Sequence, residues 1–252
     1  MHRPYDNSQT VADEAAVLAD FARRSRQVYQ DVPHRRDVPY GAGPRCVLDV
    51  FDCPDAVETL VFIHGGYWQW CDKTDFAFIV PLLLQHRYRC VLLEYDLAPH
   101  RRLADIVRQV GKALDFLRQQ TWAGQALTVV GHSAGAHLAA CHLAHPAMGA
   151  VHLLSGVYEL APIRDTHLDQ ALKLSDEEIA DCSPVRQALA PRVPCHLAVG
   201  AQELPELRWQ SAHFAQRLRQ ACPDAPVSYR VLPDCNHYTI LDAYCAALGN
   251  PD

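Results

Sequence analysis

Short apolar runs alternate with amphipathic segments along most of the chain. Runs of about four to eight apolar residues are typical of buried strands, whereas apolar residues spaced three and four apart are typical of helices with one buried face. The strand-type runs fall at residues 46–51, 60–63, 90–93, 126–130, 151–154, 195–199 and 229–232. The helix-type segments fall at residues 11–29, 76–86, 103–119, 176–180 and 240–248. This alternation predicts an α/β fold with a mostly parallel central sheet and helices on both faces.

The first helical segment, residues 11–29, places Leu18, Phe21 and Val28 on one side. Apolar side chains that share one side of a helix are normally buried against the rest of the fold. In a parallel sheet, the loops that follow the strands lie along one edge, and binding sites of open α/β sheets lie at that edge. Reactive residues that directly follow strand-type runs are therefore candidates for a common site.

Length and charge narrow the class of protein. A chain of 252 residues, 49% of them hydrophobic, can bury a full core, and we expect a single domain over residues 1–252. The net charge is −6 and both signs are scattered, which argues against nucleic acid or an anionic membrane as a partner. We expect a small-molecule substrate and a monomer or homodimer.

Cysteine usage and the amino terminus predict the compartment. The ten cysteines are dispersed, and no two of them have CxxC spacing. The first residues, Met1 to Asp6, lack the apolar core of a signal peptide. We therefore expect reduced thiols and a cytoplasmic location.

One motif carries a nucleophile. Gly131, Ser133 and Gly135 form a G-x-S-x-G pattern between a strand-type run and a helix-type stretch. This context is typical of a nucleophile elbow, in which glycines permit a sharp turn that projects the serine out of the sheet. The amide of Ala134, at the start of the following helix, is then a candidate oxyanion donor.

A second loop can complete the oxyanion hole. The run at residues 60–63 ends in His64, Gly65 and Gly66, a variant of the HGGG-type loop. Adjacent glycines let backbone N–H groups turn inward, so we assign Gly66 and Tyr67 as further donors. We expect the imidazole of His64 to hold the loop in shape rather than to act as a base.

The base and the acid follow the last two strand-type runs. His237 follows residues 229–232, where a loop can bring an imidazole over the serine. Glu203 follows residues 195–199 and is the preferred acid, because its carboxylate can accept the Nδ1–H of that histidine. Glu206, at the opening turn of the next helix, and Asp234, on the same loop as the histidine, remain alternatives.

These motifs, together with residues 154–158 and 236–239, resemble the kynurenine formamidase (arylformamidase) family of α/β-hydrolases, particularly its compact bacterial members. The resemblance covers nearly the whole chain. It implies an α/β-hydrolase fold with Ser133 as nucleophile, His237 as base and Glu203 as acid, where many relatives carry aspartate. It also implies hydrolysis of N-formylkynurenine to kynurenine and formate, although relatives with these motifs include esterases.

Residues 155–194 separate two strand-type runs and are expected to form a small partial lid over the site. Tyr158 at its start, with Trp68, Trp70 and Tyr238 from other loops, can form an aromatic wall for an aryl leaving group. Tyr67 and Trp68 are also expected to crowd the acyl side of the site.

Other functions have weaker support. His137, His142 and His145 lie close together, but no HExxH motif or carboxylate partner accompanies them, so we expect no metal. No glycine-rich phosphate loop is present, so we expect no cofactor. A carboxylesterase that acts on short-chain aryl or alkyl esters is the main alternative. A non-catalytic ligand-binding receptor on the same fold is a remote one, because such receptors usually lack a member of the triad.

Overall fold

The computed structural model describes residues 3–189, 191 and 193–248. The two ends of the predicted domain, residues 1–2 and 249–252, lie outside the described residues. So do positions 190 and 192 of the predicted lid segment.

Eight strands of the described part of the chain form one sheet in the order β1-β2-β4-β3-β5-β6-β7-β8. The strands are β1 (Arg35–Pro39), β2 (Val47–Phe51), β3 (Glu58–Ile63), β4 (Tyr88–Leu93), β5 (Leu127–His132), β6 (Met148–Leu154), β7 (Cys195–Gly200) and β8 (Val227–Leu232). Strand β2 is antiparallel to both of its neighbours, and every other adjacent pair is parallel. The predicted mostly parallel sheet is confirmed.

The described α-helices are α1 (Glu14–Asp31), α2 (Val80–Gln85), α3 (Leu103–Arg118), α4 (Ala134–Ala140), α5 (Ala161–Arg164), α6 (Asp169–Leu172), α7 (Asp176–Cys182), α8 (Pro205–Ala221) and α9 (Ile240–Ala247). Short 3₁₀ helices span Asn7–Thr10, Lys73–Ile79 and Pro184–Arg186. None of the described helices is long and apolar enough to cross a lipid bilayer.

Alternate side chains of the central strands enter two separate cores. On β3, Val61 and Ile63 join one hydrophobic cluster, whereas Leu60 and Phe62 join the other. Helices α3, α4 and α8 contribute to the first cluster, and helices α1, α2 and α9 contribute to the second. Because a strand's side chains point alternately to its two faces, the two clusters place helices on both faces of the sheet. This arrangement is the α/β-hydrolase architecture that the sequence predicted.

Two local differences from the sequence-based prediction have clear causes. Strand β1 was not predicted, because its residues are mostly exposed and polar and carry no apolar alternation. Helix α1 begins at Glu14 rather than at position 11, because the side chain of Asp13 accepts a hydrogen bond from the amide of Ala16. An aspartate in that position caps the helix and fixes where it begins.

His137 joins three parts of the fold. Its ring is fully buried on α4; Nδ1 accepts a hydrogen bond from Trp68 Nε1 at 3.2 Å, and Nε2 donates one to the carbonyl of Cys182 at 2.7 Å. These two partners require a neutral ring that carries its proton on Nε2. Burial lowers the pKa of His137 to about 4.

We predict that this neutral histidine makes the fold sensitive to acid. Its folded-state pKa lies below the unfolded value near 6.5, so the stability it provides above pH 6.5 falls as the pH drops toward about 4. His137→Gln keeps an acceptor and a donor but cannot take up a proton. Urea unfolding between pH 7 and pH 4.5 should show that the variant loses about 2 kcal/mol less than the wild type.

The matched control is His100→Gln, because His100 is exposed. This variant should keep the wild-type dependence of stability on pH. An equal loss of stability in the wild type and His137→Gln would contradict the assignment of His137 as an acid-sensitive group.

Candidate active site

Ser133 lies at a strained turn between β5 and α4. Its backbone has φ 56° and ψ −117°, and its amide donates to the carbonyl of Leu154 at 2.8 Å. A Cβ at Gly131 would lie 2.4 Å from the carbonyl oxygen of Gly135, and one at Gly135 would lie 2.0 Å from that of Ile63. Only glycine fits these two positions, and the crowded backbone holds the serine in a conformation that non-glycine residues rarely adopt.

The loop after β3 carries three consecutive residues with positive φ: Gly66 at 105°, Tyr67 at 47° and Trp68 at 59°. The carbonyl of Gly66 accepts hydrogen bonds from the amides of Gln69 and Trp70, both at 2.9 Å. Gly66 and Tyr67 line the same cavity as Ser133. Ala134 is the first residue of α4, and the amide of a first helical residue has no partner within its helix.

A buried polar network lies behind this loop. His64 donates from Nδ1 to the carbonyl of Gly65 at 2.8 Å, and its Nε2 lies 3.0 Å from Oε1 of Glu94. Arg45 Nη2 donates to the same carboxylate oxygen at 2.5 Å, and the hydroxyl of Tyr95 donates to the carbonyl of His64 at 2.8 Å. The imidazole of His64 therefore holds the loop, which is the role predicted for it. Sequence reasoning missed Glu94, although an acidic residue directly after a buried strand was a usable signal.

His237 and Glu203 form a buried pair. The ring Nδ1 of His237 lies 2.8 Å from Oε2 of Glu203. The other carboxylate oxygen accepts hydrogen bonds from the hydroxyl of Ser155 at 2.5 Å and from the amide of Gly200 at 2.7 Å. Three donors therefore fix the orientation of the carboxylate, and the carboxylate fixes the orientation of the imidazole. Ser155 was part of the resemblance but had no predicted role.

The alternative acids lie elsewhere. Glu206 lies in the first turn of α8, and Asp234 is exposed on the loop that leads to His237. Neither is the carboxylate that contacts Nδ1 of His237, because Glu203 occupies that position.

His132, the residue before Ser133, contacts the backbone of His237. Its Nε2 lies 2.9 Å from the carbonyl oxygen of His237, and the two rings are 4.7 Å apart. A carbonyl only accepts, so Nε2 of His132 carries the proton and donates it. Burial, reinforced by the neighbouring His237, holds the pKa of His132 well below its usual range. A neutral imidazole thus ties the loop of His237 to the strand that carries the serine.

His132, Ser133 and His237 border a cavity of about 320 Å³, near the lower end of the range for small-molecule sites. The carboxyl ends of the strands and the segments that follow them contribute Gly65, Gly66, Tyr67, Trp70, Cys71, Phe76, His132, Ser133, His237 and Tyr238 to its wall. Tyr238 and Trp70, two members of the predicted aromatic wall, are among these lining residues.

The structure corrects the predicted aromatic wall at two positions. Trp68 is fully buried, and its indole N–H donates to His137 in the core. Tyr158 is also buried, and its ring stacks on Phe214 of α8 with centroids 4.3 Å apart. Neither residue lines the cavity, so Trp68 does not crowd an acyl group. Apolar packing and a buried hydrogen-bond partner retain these rings in the core.

The amino-terminal segment forms a wall that sequence reasoning missed. Its lining residues are Tyr5, Asp6, Asn7, Glu14, Leu18 and Phe21. The sequence predicted that Leu18 is buried with Phe21 and Val28, but Leu18 is 41% exposed and borders the cavity instead. From the segment between β6 and β7, His167 and Leu168 also line the cavity.

The three neighbouring histidines have separate partners. His137 binds Trp68 and Cys182, as described above. His142 Nε2 contacts the carbonyl of Val107 at 2.8 Å, and His145 Nε2 lies 3.2 Å from a carboxylate oxygen of Asp115. Each ring therefore serves a different contact between helices or loops.

Comparison with known proteins gives consistent matches. A family model described as BD-FAE matches residues 49–148. Kynurenine formamidase of Danio rerio is 32% identical over 90% of this chain and 81% of its own length. Esterase LipQ of Mycobacterium tuberculosis is 25% identical over 81% of this chain and 58% of its own length. The solved structure of a candidate thioesterase from Silicibacter sp. superposes with a TM-score of 0.87 at 22% identity, covering 98% of this chain and 95% of that one.

We predict that the turn at Ser133 depends on its glycines and not on its hydroxyl. Gly135→Ala places a Cβ 2.0 Å from the carbonyl oxygen of Ile63, so β3 and α4 must separate. This change should lower the free energy of unfolding by at least about 2 kcal/mol. Ser133→Ala is the matched control and should lower it by less than about 1 kcal/mol. Urea unfolding of the two variants tests this, and equal stabilities would show that the turn can relax.

Proposed function

The chain belongs to the kynurenine formamidase family of α/β-hydrolases, and we propose on this basis that it hydrolyses N-formyl-L-kynurenine to kynurenine and formate. Ser133 is the proposed nucleophile, His237 the general base and Glu203 the acid that orients the base. Residues 1–252 form one proposed domain, in which residues 155–194 act as a partial lid. No cofactor is required by this chemistry.

One observation carries the proposal. Nδ1 of His237 lies 2.8 Å from the buried carboxylate of Glu203, at a cavity that Ser133 also lines. A carboxylate in this position holds the imidazole in the tautomer that leaves Nε2 free to accept a proton, and it stabilises the imidazolium that forms. The positive φ of Ser133 supports the same assignment, because strained backbone is concentrated at functional sites.

In the proposed reaction, Ser133 Oγ attacks the formyl carbon while His237 Nε2 takes the hydroxyl proton. The carbonyl oxygen becomes an oxyanion, which the amides of Gly66, Tyr67 and Ala134 stabilise by hydrogen bonds. His237 then protonates the departing arylamine as the C–N bond breaks. Water attacks the formyl-enzyme by the same route and releases formate, which regenerates Ser133.

An arylamine suits this machinery as a leaving group. Its nitrogen lone pair is delocalised into the ring, so the amide bond is weaker than in an alkylamide. The proposed wall for the aryl half consists of Trp70 and Tyr238 with Leu18 and Phe21 of α1, all of which line the cavity. Aromatic and aliphatic side chains of this kind favour a planar ring.

Hydrolysis of short-chain aryl or alkyl esters is the second candidate. The similarity to an esterase of Mycobacterium tuberculosis favours it, and the same nucleophile and oxyanion donors would serve. Gly65, Gly66 and Tyr67 border the cavity next to Ser133, so we expect room for only a small acyl group.

We predict that kcat/KM for N-formyl-L-kynurenine exceeds kcat/KM for an aryl acetate with a ring of matched size. Across a series of aryl esters, activity should fall steeply beyond two or three acyl carbons, because each excluded methylene costs about 1–3 kcal/mol. Ser133→Ala should lower kcat on the order of 10⁴-fold for every substrate.

Purified wild type and Ser133→Ala should be assayed side by side on these substrates. Faster turnover of octanoyl than of acetyl esters would replace the formamidase proposal with a general carboxylesterase. Activity of Ser133→Ala within tenfold of the wild type would exclude the serine mechanism.

The choice of acid gives a separate prediction. Glu203→Ala should lower kcat by at least about 10²-fold, because it removes the acceptor that faces Nδ1 of His237. Glu206→Ala and Asp234→Ala are the matched controls, because each also removes one carboxylate. Both should lower kcat much less. Steady-state kinetics of the three variants under identical conditions tests the assignment, and a larger loss in Glu206→Ala than in Glu203→Ala would overturn it.

A further inference from the structure

The wall of the cavity carries an uneven distribution of charge. Asp6 and Glu14 line it, whereas no Lys or Arg is found among its described lining residues. Asp6 already has partners: its Oδ2 lies 2.6 Å from Arg3 Nη2, and its Oδ1 accepts from the amide and the hydroxyl of Ser8. Glu14 is therefore the carboxylate with capacity for a ligand.

Glu14 is held at the cavity by the loop that carries His237. It is the first residue of α1, and its Oε1 accepts a hydrogen bond from the hydroxyl of Tyr238. Burial and this carboxylate raise the pKa of Tyr238, so the phenol keeps its proton and remains a donor. A phenol does not cancel the carboxylate's charge, and no described Lys or Arg is paired with Glu14.

Asn7 lines the same wall, but its amide oxygen does not reach the cavity. Its side chain is 7% exposed, and Nδ2 donates to the hydroxyl of Tyr67 at 3.3 Å. Its Oδ1 has no hydrogen-bond partner among the described residues and is inaccessible to solvent, so a ligand in the cavity does not contact it. Asn7 thus contacts Tyr67 and leaves Glu14 as the anionic group of this wall for a ligand.

We propose that Glu14 forms a subsite that binds a protonated primary amine on the aryl half of the substrate. An ammonium group offers three N–H donors and a positive charge, so it suits a carboxylate whose charge the phenol leaves in place. The described residues of the wall include no lysine or arginine that could pair with a carboxylate on the same substrate. The subsite therefore selects the amine and not the acid. This inference rests on the proposed function, which concerns cleavage of the formyl group. It adds that the positive charge on the aryl half of the substrate is recognised.

Three formamides separate the two charges of N-formyl-L-kynurenine: the parent compound, its decarboxylated analogue with only the ammonium, and its desamino analogue with only the carboxylate. For the wild type, kcat/KM of the decarboxylated analogue should lie within about threefold of the parent. The desamino analogue should be at least about tenfold poorer, and the difference should appear mainly in KM.

Glu14→Gln keeps an oxygen that accepts from Tyr238 but removes the charge. It should lower kcat/KM for both ammonium substrates about tenfold and leave the desamino analogue unchanged. Asp13→Asn is the matched control, since it removes the neighbouring charge while asparagine still caps α1. Asp13→Asn should behave like the wild type on all three substrates.

Binding to Ser133→Ala separates this inference from the proposed reaction. Calorimetric Kd values for the three compounds should follow the same order, and adding Glu14→Gln should weaken only the ammonium compounds. If binding follows this order but the wild type hydrolyses no formamide, the formamidase proposal fails and the subsite stands. Equal Kd values for the amine-only and acid-only compounds, or an unchanged ratio in Glu14→Gln, would overturn the subsite.

Discussion

The site depends on how closely the backbone of α4 approaches the end of β3. A Cβ at Gly135 would lie only 2.0 Å from the carbonyl oxygen of Ile63, so this contact requires glycine. Because β3 also leads into the loop of Gly66 and Tyr67, the contact brings that loop next to Ser133. The positive φ values of Ser133, Tyr67 and Trp68 cost about 1–3 kcal/mol each, and the surrounding packing must supply that stability.

Buried polar contacts hold the strained loops in place. Glu94 fixes the loop after β3 through His64, Glu203 fixes His237, and His132 ties the carbonyl of His237 to the strand that bears Ser133. Each of these groups is nearly inaccessible to water, where an unpaired polar atom would be unfavourable. The hydrogen bonds therefore leave each loop few alternative arrangements, and this rigidity is what the proposed oxyanion hole needs.

One wall of the cavity comes from the amino-terminal segment, which precedes the first strand of the sheet. Hydrophobic burial of Phe21 and Val28 fixes α1 against the second core cluster, and this docking presents Leu18 and Glu14 to the cavity. The sheet edge thus supplies the groups proposed for bond cleavage. Helix α1 supplies groups proposed for recognition of the substrate. Recognition can therefore change without disturbing the reacting groups.

The sequence by itself determined the alternating elements, the elbow at Ser133 and the order in which Glu203 and His237 follow it. Apolar periodicity and glycine sterics act over a few residues, so they can be read locally. Only the tertiary structure decided that Trp68 and Tyr158 belong to the core, that Ser155 contacts Glu203, and that Asn7 and Glu14 border the cavity. These outcomes depend on contacts between residues distant in the chain. The same aromatic or polar side chain is stable in a core or at a pocket, according to the partners that folding brings to it.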